Sequence, residues 1–367
     1  MSFDRNLFLH IIRVGALNTE PNHYDYGTAA IDWESQISEA SRHGLSGLFL
    51  DGYQKVLLSG ALSDERLMPR KTFLVFAGGV ITGFEKSYDR YKKTISSLAS
   101  FYSSHDLKMM ILKGYACSLD WPIPSHRPCG DIDIWLFGKY KEADHLMSTE
   151  KGIRIDTSEH HHTAFKYGAF VVENHFDFVN VHAHRSSERI ERVFKELAQD
   201  DSCFTEVGGE KIYLASPDLN ALFLLRHTMA HFTGASMTFR QILDWAFYVK
   251  NHTKEINWEW FLETLEEYGM TEFYNCICAI CVEDFGFEKD LFPEFSFDPV
   301  CKTKILSDTF DPGMSGRSPQ EFLPRLLFKL RRYKSNSWKR RLCYPDESLL
   351  SSFALAWSHI VGPGVEE

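Results

Sequence analysis

The chain has 367 residues, more than the roughly 250–300 at which a single hydrophobic core stops growing, so two or three domains are expected. Hydrophobic residues make up 44% and charged residues 25%, with 29 Phe and 15 Tyr, which excludes a disordered chain. A formal net charge of −10 argues against a dedicated DNA or RNA binder, yet leaves room for a nucleotide held by a divalent ion and a few local cations.

Residues 1–104 read as a helical region. The apolar stretch Leu7–Val14 is interrupted by His10 and Arg13 and lacks the basic start and clean apolar run of a secretory signal. No run of about 18 apolar residues occurs anywhere, so no membrane span is expected, and the cytoplasm is the expected compartment. Asp32-Trp33-Glu34 opens a helix to about Arg42 with an acid at the cap position. Leu45–Ser59 continues with helical spacing. After Pro69 a long helix is expected over Lys71–Ser103, because Phe73, Phe76, Val80, Phe84, Tyr88, Tyr91, Ile95 and Leu98 recur at three and four. Gly78-Gly79 and Gly83 weaken it locally.

Residues 105–215 read as an α/β core. Lys108–Leu112 is a short strand that ends in a turn at Lys113-Gly114, and Gly114–Trp121 is a short helix stopped by Pro122 and Pro124. Ile132–Phe137 is an apolar strand entered through Gly130, and Lys139–Thr149 a helix. His162–Lys166 and Phe170–Phe176 form a hairpin about Tyr167-Gly168. Ser186–Ala198 is an amphipathic helix, and a small hairpin follows at Gly208–Leu214. Residues 216–367 return to helices. Ser216-Pro217-Asp218 starts one to Phe232, followed by Thr238–Lys250, Trp258–Tyr268 and Thr271–Val282. Pro- and Phe-rich linking sequence then runs to about Pro319, before a basic stretch, Arg325–Arg341, expected to be a solvated helix face.

The sharpest chemical feature is Gly130-Asp131-Ile132-Asp133-Ile134. Side chains alternate along a strand, so Asp131 and Asp133 share one face while Ile132 and Ile134 enter a core. Paired carboxylates there repel one another and lose hydration, and a divalent cation relieves both; all-oxygen ligands favour Mg²⁺, Mn²⁺ or Ca²⁺. An edge strand with two solvated acids is the plainer alternative. Upstream, the strand-to-helix turn at Lys113-Gly114 is a place where a phosphate can sit on backbone N–H groups. Arg127, in the loop Pro124–Gly130, carries a fork suited to a phosphate. Downstream, Glu173 stands in the strand Phe170–Phe176.

This order resembles the DNA polymerase β-like nucleotidyltransferase superfamily. More closely it resembles an uncharacterised bacterial nucleotidyltransferase family, through Leu112-Lys113-Gly114, Arg127–Asp133 and Val172-Glu173-Asn174-His175, with His227/His231 and Arg240/Asp244 in the helical tail. The resemblance covers about residues 30–290. It implies an α+β fold: a small mixed sheet with helices, flanked by helical regions at both ends. It also implies a site in which Asp131, Asp133 and Glu173 hold Mg²⁺ or Mn²⁺. Lys113, Gly114, Arg127 and Gly130 would then meet a nucleoside triphosphate, and an acceptor hydroxyl on a small molecule or protein would attack the α-phosphate. Two departures stand out: Lys113-Gly114 replaces the Gly-Ser of the phosphate turn, and the third acid is Glu. A catalytically inactive nucleotide-binding or interaction module is the alternative.

Around that set, Asp177 is the rival third ligand, and His175 shares the Glu173 face. His160-His161-His162 enters a strand in which neighbours point to opposite sides, so a surface or nucleotide-facing role is favoured over a transition-metal site. His227 and His231 lie one helical turn apart, with Thr228 where a zinc peptidase has its Glu, so they read as a polar seam or an acceptor-facing pair. Arg240 and Asp244 read as an i,i+4 ion pair that orients the site. Cys276, Cys278 and Cys281 lie in an apolar helix and read as packing residues.

Overall fold

The computed structural model describes residues 3–21, 24–181, 184–234, 236–293, 295–313 and 321–345. His182 and the tail beyond 345 lie outside them.

Helices α1 (Arg5–Leu17), α2 (Trp33–Arg42), α3 (Ser46–Ser59), α4 (Arg70–Val80) and α5 (Lys86–Ser103) build the N-terminal part. Asp32 caps α2, accepting from the Ser35 N–H at 3.1 Å, as the acid before Trp33 predicted. The long helix expected over 71–103 forms with one fault: a π-helical turn at Ile81–Glu85 separates α4 from α5, beside the three glycines. Helices α1 and α3 cross with their backbones in contact. A Cβ built on Gly52 would lie 1.9 Å from the Ile11 carbonyl oxygen, and one on Gly15 2.1 Å from that of Leu48. Only glycine fits at either position.

Six strands follow: β1 (Met110–Ile111), β2 (Ile132–Trp135), β3 (His162–Tyr167), β4 (Phe170–His175), β5 (Phe204–Val207) and β6 (Glu210–Leu214). They form one mixed sheet in the order β3-β4-β2-β1-β6-β5. Helices α6 (Tyr115–Ser118), α7 (Tyr140–Lys151) and α8 (Arg185–Leu197) lie between the strands. The strand at 108–112 is shorter than expected, and the helix after Gly114 lasts a single turn. Helices α9 (Pro217–Gly234), α10 (Phe239–His252), α11 (Trp258–Glu267), α12 (Thr271–Ala279), α13 (Pro299–Phe310), α14 (Phe322–Ser335) and α15 (Ser337–Cys343) complete the chain. The α+β architecture anticipated from the sequence is present.

Two corrections concern the C-terminal part. The linking sequence holds α13, with Pro299 in its first turn and the Asp298 side chain accepting from the Val300 N–H. The basic stretch is not wholly solvated. Lys339 is 1% exposed and pairs with Asp308 at 2.6 Å, because the short α15 packs on α9 and α12.

Alternation along β2 decides what each face of the sheet meets. Ile132 and Ile134, both fully buried, join Tyr91, Ile95 and Leu98 of α5 and Met147 of α7 in one apolar cluster. Each such burial stabilises by roughly 1.5–3 kcal/mol. Trp135, on the opposite face, packs instead against Phe178, 4.7 Å between ring centroids, in a second cluster with Phe223 of α9. That second cluster also contains Phe8, Phe49 and Phe239, so helices from both ends of the chain share one core. Asp131 and Asp133 therefore project away from α5 and towards the C-terminal helices.

Candidate active site

Pairing of β2 with β4 sets the first distance. The strands run parallel with Asp133 opposite Glu173 and Trp135 opposite His175, so these acids come from neighbouring strands on one face. A cavity of about 460 Å³ opens over them. Asp131, Asp133, Glu173, Lys113, Gly114, Arg127 and Gly130 line it, and so do His227, His231, Arg240 and Asp244 from α9 and α10. Of the residues singled out in the sequence, His175 lies just beneath this lining and Asp177 outside it.

The floor is a charge cluster. Asp133, 6% exposed, meets the Lys113 ammonium at 2.7 Å and His175 Nε2 at 3.2 Å through the same oxygen, Oδ1. His175 Nε2 also lies 3.6 Å from Glu173 Oε2, and His162 Nε2 3.7 Å from Glu173 Oε1. Burial alone would raise the Asp133 carboxyl; Lys113 and His175 outweigh it and hold the group well below the ordinary carboxylate range. Asp131 goes the other way. It is pushed up by burial and by the negative charges of Glu173 and Asp133. Burial of Lys113 is likewise outweighed by Asp133 and Glu173, so the ammonium keeps its proton.

Gly114 makes this floor possible. Its φ of +52° suits glycine, and an added Cβ would sit 2.4 Å from the Tyr91 hydroxyl. That hydroxyl donates to the Asp131 carbonyl at 2.7 Å, fixing the entry to β2. Gly114→Ala is expected to destabilise the fold by about 1–3 kcal/mol through strain and displacement of Tyr91; an unchanged melting temperature would refute this account of the turn.

Asp177 pairs with Lys195 of α8 instead of facing the cavity. His227 and His231 stand with ring centroids 4.5 Å apart on the cavity wall. Burial holds His231 neutral, its value lowered to about 4, and it pushes His227 down further. Arg240 and Asp244 do not form the expected helical pair. Asp244 is instead held by Arg127, Nε to Oδ1 and Nη2 to Oδ2 both at 2.7 Å, and by Trp121 Nε1 at 2.8 Å. The Arg127 fork expected on a phosphate is thus committed to a carboxylate, because the loop before β2 lies against α10. Arg240 keeps a buried Nε without a hydrogen-bond partner at the cavity wall. It is the free guanidinium edge that sequence spacing assigned to Asp244. Cys276, Cys278 and Cys281 are fully buried, as packing residues are.

One more residue braces the loop. His126, 7% exposed, holds Asp51 of α3 at 2.9 Å through Nδ1 and Glu85 at 3.2 Å through Nε2. Burial lowers its affinity for a proton, but the two carboxylates more than restore it, so the folded value is raised above the unfolded one. Stability from this contact is therefore full below about pH 6.5 and is lost as pH rises through the raised folded value. His126→Gln should lower stability by about 1–3 kcal/mol at pH 6 and by much less at pH 9. Denaturant midpoints measured across that range check it, and a gap independent of pH would refute it.

The cavity is thus floored by acids on adjacent strands, with a lysine and a strand-to-helix turn beside it. The chain belongs to a family described as "Uncharacterised nucleotidyltransferase", which it matches over residues 29–286. No curated protein matches it. A crystal structure of an antigenic nucleotidyltransferase-like protein from Paracoccidioides brasiliensis is similar over 44% of this chain and 77% of that one, at 18% identity and a TM-score of 0.32. Among the described residues no helix is long and apolar enough to cross a membrane.

Proposed function

We propose that this protein transfers a nucleoside monophosphate from a nucleoside triphosphate to a hydroxyl of a small-molecule or protein acceptor, with a divalent ion at Asp131, Asp133 and Glu173. The observation that carries the reading is the in-register placement of Asp133 and Glu173 on parallel strands, under a cavity shared with Asp131. Asp133, Glu173 and His175 bring ligand atoms within 4.8 Å of one another and Asp131 lines the same cavity, so carboxylate oxygens predominate among the donors, as a hard cation prefers. Mg²⁺ or Mn²⁺ bound to them would shield the triphosphate and favour in-line attack. Lys113 supplies a fixed positive charge where anionic oxygens arrive, and Arg240 presents a second from the wall. Glu173, opposite Asp133 on β4, would accept the acceptor's proton.

A second reading, nucleotide binding without transfer, is favoured by one observation. Lys113 stands where the phosphate turn of related folds has Gly-Ser, and its ammonium occupies Asp133 Oδ1. Incubation with Mg²⁺ and each α-labelled nucleoside triphosphate separates the two. Label on the protein or on a co-incubated acceptor, with pyrophosphate released, supports transfer. Nucleotide- and Mg²⁺-dependent thermal stabilisation without pyrophosphate supports the second reading, and no stabilisation by any nucleotide removes both.

A further inference from the structure

We propose that Glu272, Cys276 and Cys301 form a binding site for a thiophilic divalent ion of the Zn²⁺ class, at the seam between α12 and α13. None of the three lines the cavity, and the site does not rest on the reading above. Glu272 and Cys276 stand one helical turn apart on α12, so their side chains share a face. Cys301 comes from the first turn of α13, which follows the Asp298 cap and packs on α12. One ligand atom from each residue, a carboxylate oxygen and two sulfurs, lies within 4.8 Å of the other two.

Three features point to an ion rather than to thiol packing. First, the donors are graded from core to surface. Cys276 is fully buried, Cys301 half-buried and Glu272 exposed, so an ion has a route in from solvent past the carboxylate. Cys278 and Cys281, which pack, are fully buried and belong to no such group among the described residues. Second, the surroundings are acidic where a packed thiol pair would have apolar neighbours. The two thiols share a hydrogen bond, and burial, together with the charges of Glu272 and Asp298, raises both above the ordinary thiol range. Lys304 offsets part of this at Cys301. An ion that takes the place of the two thiol protons neutralises the gathered negative charge. Third, the spacings suit coordination. Zinc bonds of about 2.3 Å to sulfur and about 2.0–2.2 Å to oxygen put ligand atoms roughly 3.5–3.8 Å apart in a tetrahedral site. Donors already within 4.8 Å reach that by small side-chain rotations, and water takes the fourth position on the exposed side. Two thiolates select Zn²⁺ and its softer neighbours over Mg²⁺, so this ion differs in kind from the one at the aspartates.

The test uses the full chain without nucleotide, reduced with a phosphine and stripped by a chelator. Added Co²⁺ should produce the intense near-ultraviolet band of thiolate-to-metal charge transfer, and one equivalent of Zn²⁺ should abolish it. An ion held by the carboxylates of the cavity contributes nothing to that band. Competition should show Zn²⁺ bound at least about 100-fold more tightly than Mg²⁺. Cys301→Ser should remove most of the band and weaken Zn²⁺ binding at least about tenfold. Glu272→Gln, at an exposed position, should keep the band and weaken binding by about tenfold. Cys203→Ser, beside β5, should change neither. Absence of the band, or its survival in Cys301→Ser, overturns the proposal. If Cys301→Ser folds poorly, Glu272→Gln decides, and an unchanged Zn²⁺ affinity in that variant overturns it equally. Reduced protein that binds no Zn²⁺ but forms a Cys276–Cys301 disulfide with glutathione disulfide also overturns it, in favour of a redox pair.

Discussion

Replacing Asp133 by Asn should lower nucleotide transfer by on the order of 10³-fold or more while leaving the sheet assembled. Asp133 is the acid that the sheet holds most firmly. It sits in the four-residue strand β2, opposite Glu173, and its carboxylate stays ionised because Lys113 and His175 both contact it. An amide at that position is neutral and offers a divalent ion one weaker oxygen. Loss of several kcal/mol of charge stabilisation in the transition state corresponds to about three decades in rate. The same change leaves the Lys113 ammonium, only 18% exposed, without its nearest counter-charge, so a lower melting temperature is expected as well. Circular dichroism and a denaturation curve separate the two effects. Transfer within tenfold of wild type in a folded Asp133→Asn variant would remove Asp133 from the chemistry.

Local rules make much of this site legible in the sequence. Alternation along 131–134 put both aspartates on one face, and the structure adds the reason that face matters: Ile132 and Ile134 are claimed by α5 and α7, so the acids turn to α9 and α10. Caps and apolar spacing likewise located α2 and α3. What stayed hidden depends on chain folding over long separations. Arg127 and Asp244 lie 117 positions apart, and nothing local distinguishes that pairing from the nearer Arg240. The parallel pairing of β1 with β6, which closes the middle of the sheet, joins strands about a hundred residues apart and only two residue pairs long. Helix α13 was missed for a different reason. Proline and phenylalanine density suggested a linker, although Asp298-Pro299 is a cap followed by a first-turn proline. His161 escaped the alternation rule because it stands one residue before the strand begins.

The pair that sequence spacing missed should carry the largest effect on stability. Arg127 and Asp244 are 5% and 6% exposed, and two parallel hydrogen bonds of 2.7 Å join them, with Trp121 Nε1 on Asp244 Oδ1 and the Arg127 Nη1 on the Pro128 carbonyl. Arg127→Met should cost about 3–5 kcal/mol, since it leaves the Asp244 carboxylate buried with the Trp121 indole as its remaining strong donor. Arg127→Lys should recover only part of that, because an ammonium cannot reproduce the planar fork. Asp244→Leu should cost a similar amount through the stranded guanidinium. The double variant Arg127→Met/Asp244→Leu should lose much less than the sum, because neither charge is then left buried alone. The pair fastens the loop that leads into Asp131 to the helix that forms the cavity wall, so the double variant is also expected to fold yet position the acids loosely. Its transfer rate should fall more than its stability does. Urea titrations of the four proteins give the cycle. Additive single losses, or an Arg127→Met loss below about 1 kcal/mol, would show that the clamp is incidental and that packing between the sheet and α10 holds the cavity together without it.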